Sequence, residues 1–95
     1  TQDMKQLFEE CYSKFGDEIS EKGRIVDVVI NEGLFDGMDL YNSRSDQTLF
    51  GNLLKKFVGR VLSDIRLVVK NPKARPARWQ YVFTKKVEDR TLIDF

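Results

Sequence analysis

The pattern of hydrophobic and polar positions near the start of the chain is helical. Apolar residues follow one another three or four positions apart between Asp3 and Gly16, which puts them on one face of a helix. Asp3 is a suitable N-cap and Gly16 a suitable end, so the pattern predicts a helix over residues 3–15. The stretch "GDEIS" that follows predicts a short extended piece, with Ser20 as the cap of the next helix.

The next apolar run, "RIVDVVINEGLF", has the valine and isoleucine content of a strand. Its polar residues indicate a helix instead, because Arg24, Asp27 and Asn31 fall on one narrow helical stripe and do not alternate. The pattern therefore predicts a second helix over residues 21–32, ended by Gly33.

A third segment has an apolar stripe two residues wide that repeats about every four positions. Its members, all expected to face the core, are Leu49, Phe50, Leu53, Leu54, Phe57 and Val58. With Ser45 as the N-cap and Gly59 as the terminator, the stripe predicts a helix over residues 46–58. Gly51 lies on the polar face, where it either lets a partner approach closely or is simply tolerated.

Two runs with the alternation of β-strands come next. The run from Ile65 to Val69 alternates, and the run from Trp79 to Phe83 does the same beyond the loop "NPKARPA". They predict an antiparallel β-hairpin with a long, exposed loop that Pro72 and Pro76 make stiff. The aromatic residues Trp79, Tyr81 and Phe83 either fill the core against the third helix or stack on unpaired bases.

These elements predict one small α+β domain with three helices and a β-hairpin. The 95 residues, 41% of them hydrophobic, are enough for a single core, which we place at about residues 3–84 of a domain spanning 1–95, followed by an acidic tail over 85–95. No apolar run is long enough to cross a membrane, and the first residues lack the pattern of a signal peptide. We therefore expect a cytoplasmic protein that makes no membrane contact.

The composition argues against an enzyme. The chain has no histidine and one cysteine, Cys11, so it offers neither a Cys/His pair for nucleophilic catalysis nor a zinc site. It also lacks a glycine-rich loop that would cradle a phosphate. We expect no cofactor and no metal, and we expect Cys11 to be buried on a helix face.

The net charge of +1 conceals a strong segregation of charge. Residues 1–43 carry four basic and ten acidic residues, whereas residues 44–86 carry eleven basic residues against Asp46 and Asp64. Residues 66–86 contain no acidic residue at all. Such a distribution indicates that the middle of the chain contacts a polyanion.

The order helix, short strand, helix, helix and hairpin is that of a winged helix-turn-helix. The stretch "SDQTLFGNLLKKFVGRVLSDIRLVVKNPKARPARWQYVF" resembles the winged-helix module at the C-terminus of phage and plasmid replication proteins of the primase and helicase kind. In those proteins a "leucine-x-leucine-leucine, basic" helix, a Gly-Arg hinge and a wing closing on Arg-Trp or Arg-Tyr recur. The resemblance covers residues 17–84 and implies a DNA-binding module of a larger replication or mobile-element protein.

In that fold the segment 46–58 is the recognition helix and the segment 70–78 is the basic wing. The predicted phosphate contacts are Arg44, the helix N-terminus at Ser45, Lys55, Lys56, Arg60, Lys73, Arg75 and Arg78. The predicted base contacts are Gln47, Thr48 and Asn52, since amides pair with adenine and the start of a recognition helix enters the major groove. Double-stranded DNA is therefore the expected ligand.

A protein-assembly module is the alternative. The acidic first half of one copy would meet the basic second half of another copy, or of another domain of the same parent protein, and would build a chain or ring of subunits. Sedimentation without nucleic acid separates the two functions, because the alternative requires self-association at low salt.

Overall fold

The computed structural model describes residues 2–75 and 78–85, and that part of the chain contains three helices and one antiparallel sheet. The elements are α1 (Gln2–Phe15), α2 (Lys22–Glu32), α3 (Arg44–Phe57), β1 (Val61–Leu62), β2 (Ile65–Val69) and β3 (Tyr81–Thr84). The predicted α+β fold with three helices is confirmed. Pro76 and the predicted tail beyond Lys85 lie outside the described residues.

The first two helices end as predicted but begin differently. Gly16 and Gly33 follow α1 and α2 in the left-handed conformation, with φ of 59° and 67°. Asp3 does not cap α1, because it lies within the first turn and its carboxylate accepts the N–H of Phe35 at 3.1 Å. Ser20 does not cap α2 either, since Glu21 occupies the N-cap position.

The third helix begins two residues earlier than predicted. Ser43, not Ser45, is its N-cap: the Ser43 backbone is extended, and its Oγ accepts the N–H of Asp46 at 3.1 Å. Ser45 lies within the first turn, where its hydroxyl is not in a capping position. The helix ends at Phe57, and Gly59 follows two residues later with φ of 88°.

The predicted hairpin exists and forms two of the three strands. β2 and β3 pair with Leu67 opposite Phe83 and Val69 opposite Tyr81, so these four side chains share one face. Trp79 precedes β3 and does not belong to the strand. The register places the exposed Arg66 of β2 on the other face of the hairpin, which also carries the buried Val82.

Two further pairings extend this hairpin on both sides. β1 pairs with β2 across a two-residue turn at Ser63 and Asp64, whose φ values of 53° and 63° are those of a type I′ turn. The predicted extended piece "GDEIS" places Ser20 beside β3, where Ser20 and Tyr81 exchange two backbone hydrogen bonds of 2.8 Å. The chain between α1 and α2 is thereby tied to the hairpin.

The core lies where all three helices meet the inner face of the sheet. Phe8 of α1 is fully buried, and its ring stands edge-on to Phe83 at 5.2 Å and to Phe57 at 6.4 Å between ring centroids. Tyr81 is buried as well, and Trp79 packs half-buried against this cluster. The prediction that the aromatic residues of the hairpin fill the core is confirmed for Tyr81 and Phe83.

Leu49 departs from the predicted core stripe. Its side chain is 54% exposed, whereas its neighbour Phe50 and its stripe mate Leu54 are fully buried. The prediction that Leu49 faces the core is therefore wrong. The buried stripe is narrower than the apolar pattern, because Leu49 lies at its edge, next to the exposed side chains of Ser45 and Asn52.

No helix of the described residues is both long enough and apolar enough to span a bilayer.

Cys11 is fully buried, as predicted. Its thiol is expected to lower the free energy of unfolding at alkaline pH. Burial, with a smaller effect of the Glu10 charge, raises the pKa of Cys11 from 9.0 to about 12. Above the ordinary pKa the unfolded chain releases the thiol proton while the folded chain keeps it, so folding loses about 1.4 kcal/mol per pH unit. Urea titrations between about pH 8 and about pH 10 check this.

The control for the alkaline titration is Cys11→Ala, which removes the thiol and should flatten the pH dependence in this window. Burial also raises the pKa of Tyr81, from 10.0, and that group acts at higher pH. An unchanged slope in Cys11→Ala would contradict the prediction.

Candidate nucleic-acid interface

The exposed surface of α3 is one continuous arc without an acidic residue. Its members, all exposed, are Arg44, Ser45, Thr48, Leu49, Asn52, Lys55 and Lys56. At 3.6 residues per turn they cover about 140° of the helix circumference. Six of the seven were predicted as contact residues, and Leu49 is the one that the sequence pattern assigned to the core.

Asp46, the acid in the first turn of α3, is directed away from this arc. Its Oδ2 accepts the backbone N–H of Asp39 at 2.8 Å, and Asp39 in turn accepts the N–H groups of Tyr41 and Asn42 at 3.1 and 3.0 Å. These bonds hold the connector between α2 and α3 against the start of the helix. The carboxylate of Asp46 thus makes a hydrogen bond within the fold and is not part of the arc.

Gln47 differs from the other predicted base contacts. It is half-buried, and its side-chain Nε2 donates to the backbone oxygen of Leu40 at 3.0 Å. Its amide nitrogen therefore holds the connector in place. Thr48 and Asn52 remain exposed on the arc.

Gly51 faces α2 and has no place on the exposed arc. A Cβ atom built on Gly51 would lie 2.9 Å from the Nζ of Lys22, and that Nζ donates to the backbone oxygen of Gln47 at 3.0 Å. The absence of a side chain thus makes room for Lys22 to cross α3. The packing of Lys22 against α3 explains why position 51 is a glycine, and no partner outside the chain is needed for this explanation.

Leu49 lines an open groove along one side of the arc, together with apolar and polar side chains. The groove has a volume of about 670 Å³, and its apolar wall is formed by Leu49, Leu53 and Met38. Its polar wall includes Asn52 and Lys56. Apolar side chains and an amide are thereby brought together at one edge of the exposed face of α3.

The predicted basic loop between β2 and β3 presents its cations to solvent. Lys73, Arg75 and Arg78 are exposed. The loop is held from within by Asn71, whose Oδ1 accepts the N–H of Gln80 at 2.7 Å and whose Nδ2 donates to the oxygen of Arg78 at 3.2 Å. The described part of the loop therefore has a defined shape.

The side chain of Trp79 adds a further tie in the same loop. Its indole N–H donates to the backbone oxygen of Ala74 at 3.0 Å, and its ring stands edge-on to Tyr81 at 6.2 Å. Trp79 thus links the basic loop to the core. The indole N–H is bonded to the Ala74 oxygen, and the ring is half-buried against the core.

Arg60 lies between α3 and the sheet and is exposed. Its guanidinium carbon is 5.3 Å from the centroid of the Phe57 ring, and its backbone oxygen accepts the N–H of Leu67 at 3.3 Å. The guanidinium group of Arg60 therefore lies over the Phe57 ring at the end of α3, one residue before β1 begins.

The cations of the arc and of the loop are not neutralised by the acids of the described residues. The ion pairs found there join Lys14 to Glu32 at 3.4 Å and Arg24 to Glu18 at 3.8 Å, all outside these two regions. In the same part of the chain, no group of three or more His, Cys, Asp or Glu side chains is placed to hold a metal ion. The positive charge of α3 and of the loop is thus available to an external anion.

Comparisons with protein-family models, with curated proteins and with solved structures find no match for the chain.

Proposed function

We propose that the chain is a winged helix-turn-helix module that binds double-stranded DNA, as part of a larger replication or mobile-element protein. The observation that carries the proposal is the exposed arc of α3, which combines Arg44, Lys55 and Lys56 with Thr48 and Asn52 and includes no acid. An α-helix fits the major groove of B-form DNA, where polar side chains reach base edges and flanking cations reach phosphates.

The connectivity supports the winged-helix part of the proposal. The elements follow the order helix, extended piece, helix, helix and hairpin. In addition, the extended piece at Ser20 pairs with β3 of the hairpin. The loop between β2 and β3 then corresponds to the wing. Lys73, Arg75 and Arg78 are its phosphate contacts in the proposal, with Arg60 at the end of α3.

The electrostatic part rests on counterion release. Duplex DNA carries about one negative charge per 1.7 Å of its axis, and each cation that neutralises a phosphate frees a condensed counterion. The arc and the wing supply cations without described acidic partners, so binding does not require an internal ion pair to break. Asn71 and Trp79 hold the described part of the wing in place before binding, which lowers the entropy cost of docking.

The division between phosphate and base contacts predicts two different mutant phenotypes. Replacing Arg75 and Arg78 by alanine is expected to weaken binding to all duplexes by a common factor and to reduce the salt slope by about 2. Asn52→Ala is expected to cost about 1–3 kcal/mol at adenine-containing sites and to relax the preference among sequences. Fluorescence anisotropy with a panel of labelled duplexes measures both.

The matched control is the double variant Lys5→Ala with Lys14→Ala, which removes the same charge from α1. It is expected to leave affinity and sequence preference nearly unchanged, because α1 contributes no contact in the proposal. If this control weakened binding as much as the wing variant does, net charge alone would explain the affinity. Equal effects of Asn52→Ala on every sequence would remove Asn52 as a base contact.

A further inference from the structure

The arc of α3 contains one feature that phosphate binding does not use, the exposed Leu49. The described residues include four exposed large hydrophobic side chains, and Leu49 is the one that lies on this arc, 54% exposed. Leu49 and Asn52 are three positions apart, which places their Cβ atoms about 5–6 Å from each other on the helix surface. An apolar contact and an amide therefore stand side by side.

We propose that Leu49 and Asn52 together read an A·T-containing step in the major groove, with Leu49 packing on the 5-methyl group of thymine and Asn52 pairing with adenine. This inference rests on the proposed function. Thymine is the base that presents a methyl group in the major groove, and adenine is the base that pairs bidentately with an asparagine side chain. Neighbouring base pairs are about 3.4 Å apart, so two adjacent side chains reach the same base pair or the next one.

The surroundings of Leu49 favour DNA over a protein partner as its occupant. The groove is lined by the apolar side chains of Leu49, Leu53 and Met38, with Asn52 and Lys56 next to them. A duplex offers the matching combination, a methyl group within the groove and phosphates along its edge. A partner helix would need a broader apolar surface, and the rest of the arc is polar or positively charged.

The test begins with selection of bound duplexes from a randomised pool. The wild-type protein is expected to select an adenine together with a thymine within one step of it. Each thymine of the selected site is then replaced by uracil, which removes only the methyl group. Loss of the methyl contact is expected to weaken wild-type binding about fourfold at that thymine and to have no effect at the others.

Two variants identify the side chain responsible. Leu49→Ala is expected to bind thymine and uracil sites equally, and Leu49→Ile, which keeps a branched apolar side chain, is expected to retain most of the discrimination. Asn52→Ala is expected to lose the adenine preference while still distinguishing thymine from uracil. Because Leu49 is 54% exposed, its replacement is expected to leave the core intact, and an unfolding titration of each variant checks this.

The outcomes separate the inference from the proposed function. Duplex binding with no response to uracil at any thymine, or with full discrimination retained in Leu49→Ala, overturns the inference and leaves DNA binding in place. A bound pool without base preference overturns it too. Failure to bind any duplex at low salt overturns both.

Discussion

Raising the salt concentration from about 50 mM to about 200 mM is expected to weaken binding of the chain to duplex DNA roughly a thousandfold. The proposed interface supplies seven exposed cations, and about five to seven phosphate contacts give a slope of about −5 to −6 when log affinity is plotted against log salt. Anisotropy titrations at four or more salt concentrations measure the slope. This is the largest effect expected for the intact protein, because no other contact of the interface responds so steeply to a change of buffer.

The variant that tests the origin of this slope is Lys55→Ala with Lys56→Ala. Both side chains are exposed at the C-terminal part of α3, so their removal is expected to reduce the slope by about 2 while the fold is retained. Measuring the unfolding midpoint at each salt concentration checks that the protein stays folded throughout. An affinity that hardly changes with salt would rule out phosphate neutralisation as the basis of binding.

The largest expected effect on stability is that of Phe8→Ala, at about 3–5 kcal/mol. Phe8 is fully buried, and its ring contacts Phe83 of β3 and Phe57 of α3, so it joins α1 to both other parts of the core. Truncation removes apolar burial and leaves a cavity between elements that cannot all move inward together. Since small domains are stable by only about 5–15 kcal/mol, the variant is expected to lose a large share of its stability.

Urea or guanidinium titrations followed by circular dichroism measure this loss. The matched control is Tyr41→Ala, an aromatic truncation at a side chain that is 74% exposed, which is expected to change stability by less than about 0.5 kcal/mol. A similar midpoint for both variants would mean that Phe8 is not packed as described. Phe8→Leu, which keeps most of the buried volume, should fall between them.

The three helices were predictable because each has an apolar period and a glycine near its end. The N-caps were not, since Ser43 and Ser45 have the same capping chemistry and differ only in backbone conformation. Asp3 illustrates the same limit: its carboxylate serves a backbone N–H 32 residues away, which no local pattern shows.

The hairpin was predictable from alternation, but β1 was not. A two-residue strand has no measurable period, and the turn at Ser63 and Asp64 lacks the Asn-Gly or Asp-Gly signature of type I′ turns. Ser63 adopts the left-handed conformation without that signature, and its Oγ donates to Glu9 of α1 at 2.5 Å. This contact joins residues that are far apart in the sequence, so no local pattern shows it.

Within the candidate site, exposure was the property that the sequence pattern could not settle. Leu49 and Leu53 belong to one apolar stripe, and only the position of the neighbouring elements leaves Leu49 largely in solvent. Gln47 has the same chemistry as Asn52, yet the carbonyl of Leu40 engages its side chain. Composition indicated the residue types that the proposed DNA contacts require, and tertiary packing decides which of them are exposed.

The position of Trp79 gives the protein a built-in optical reporter. It is the chain's one tryptophan, and its indole bridges the basic loop and the core through Ala74 and Tyr81. A rearrangement of the loop that moves Ala74 is expected to change the surroundings of this ring, and therefore its fluorescence emission. Engagement of the loop can thus be followed on unlabelled protein, separately from events on α3, which carries no tryptophan.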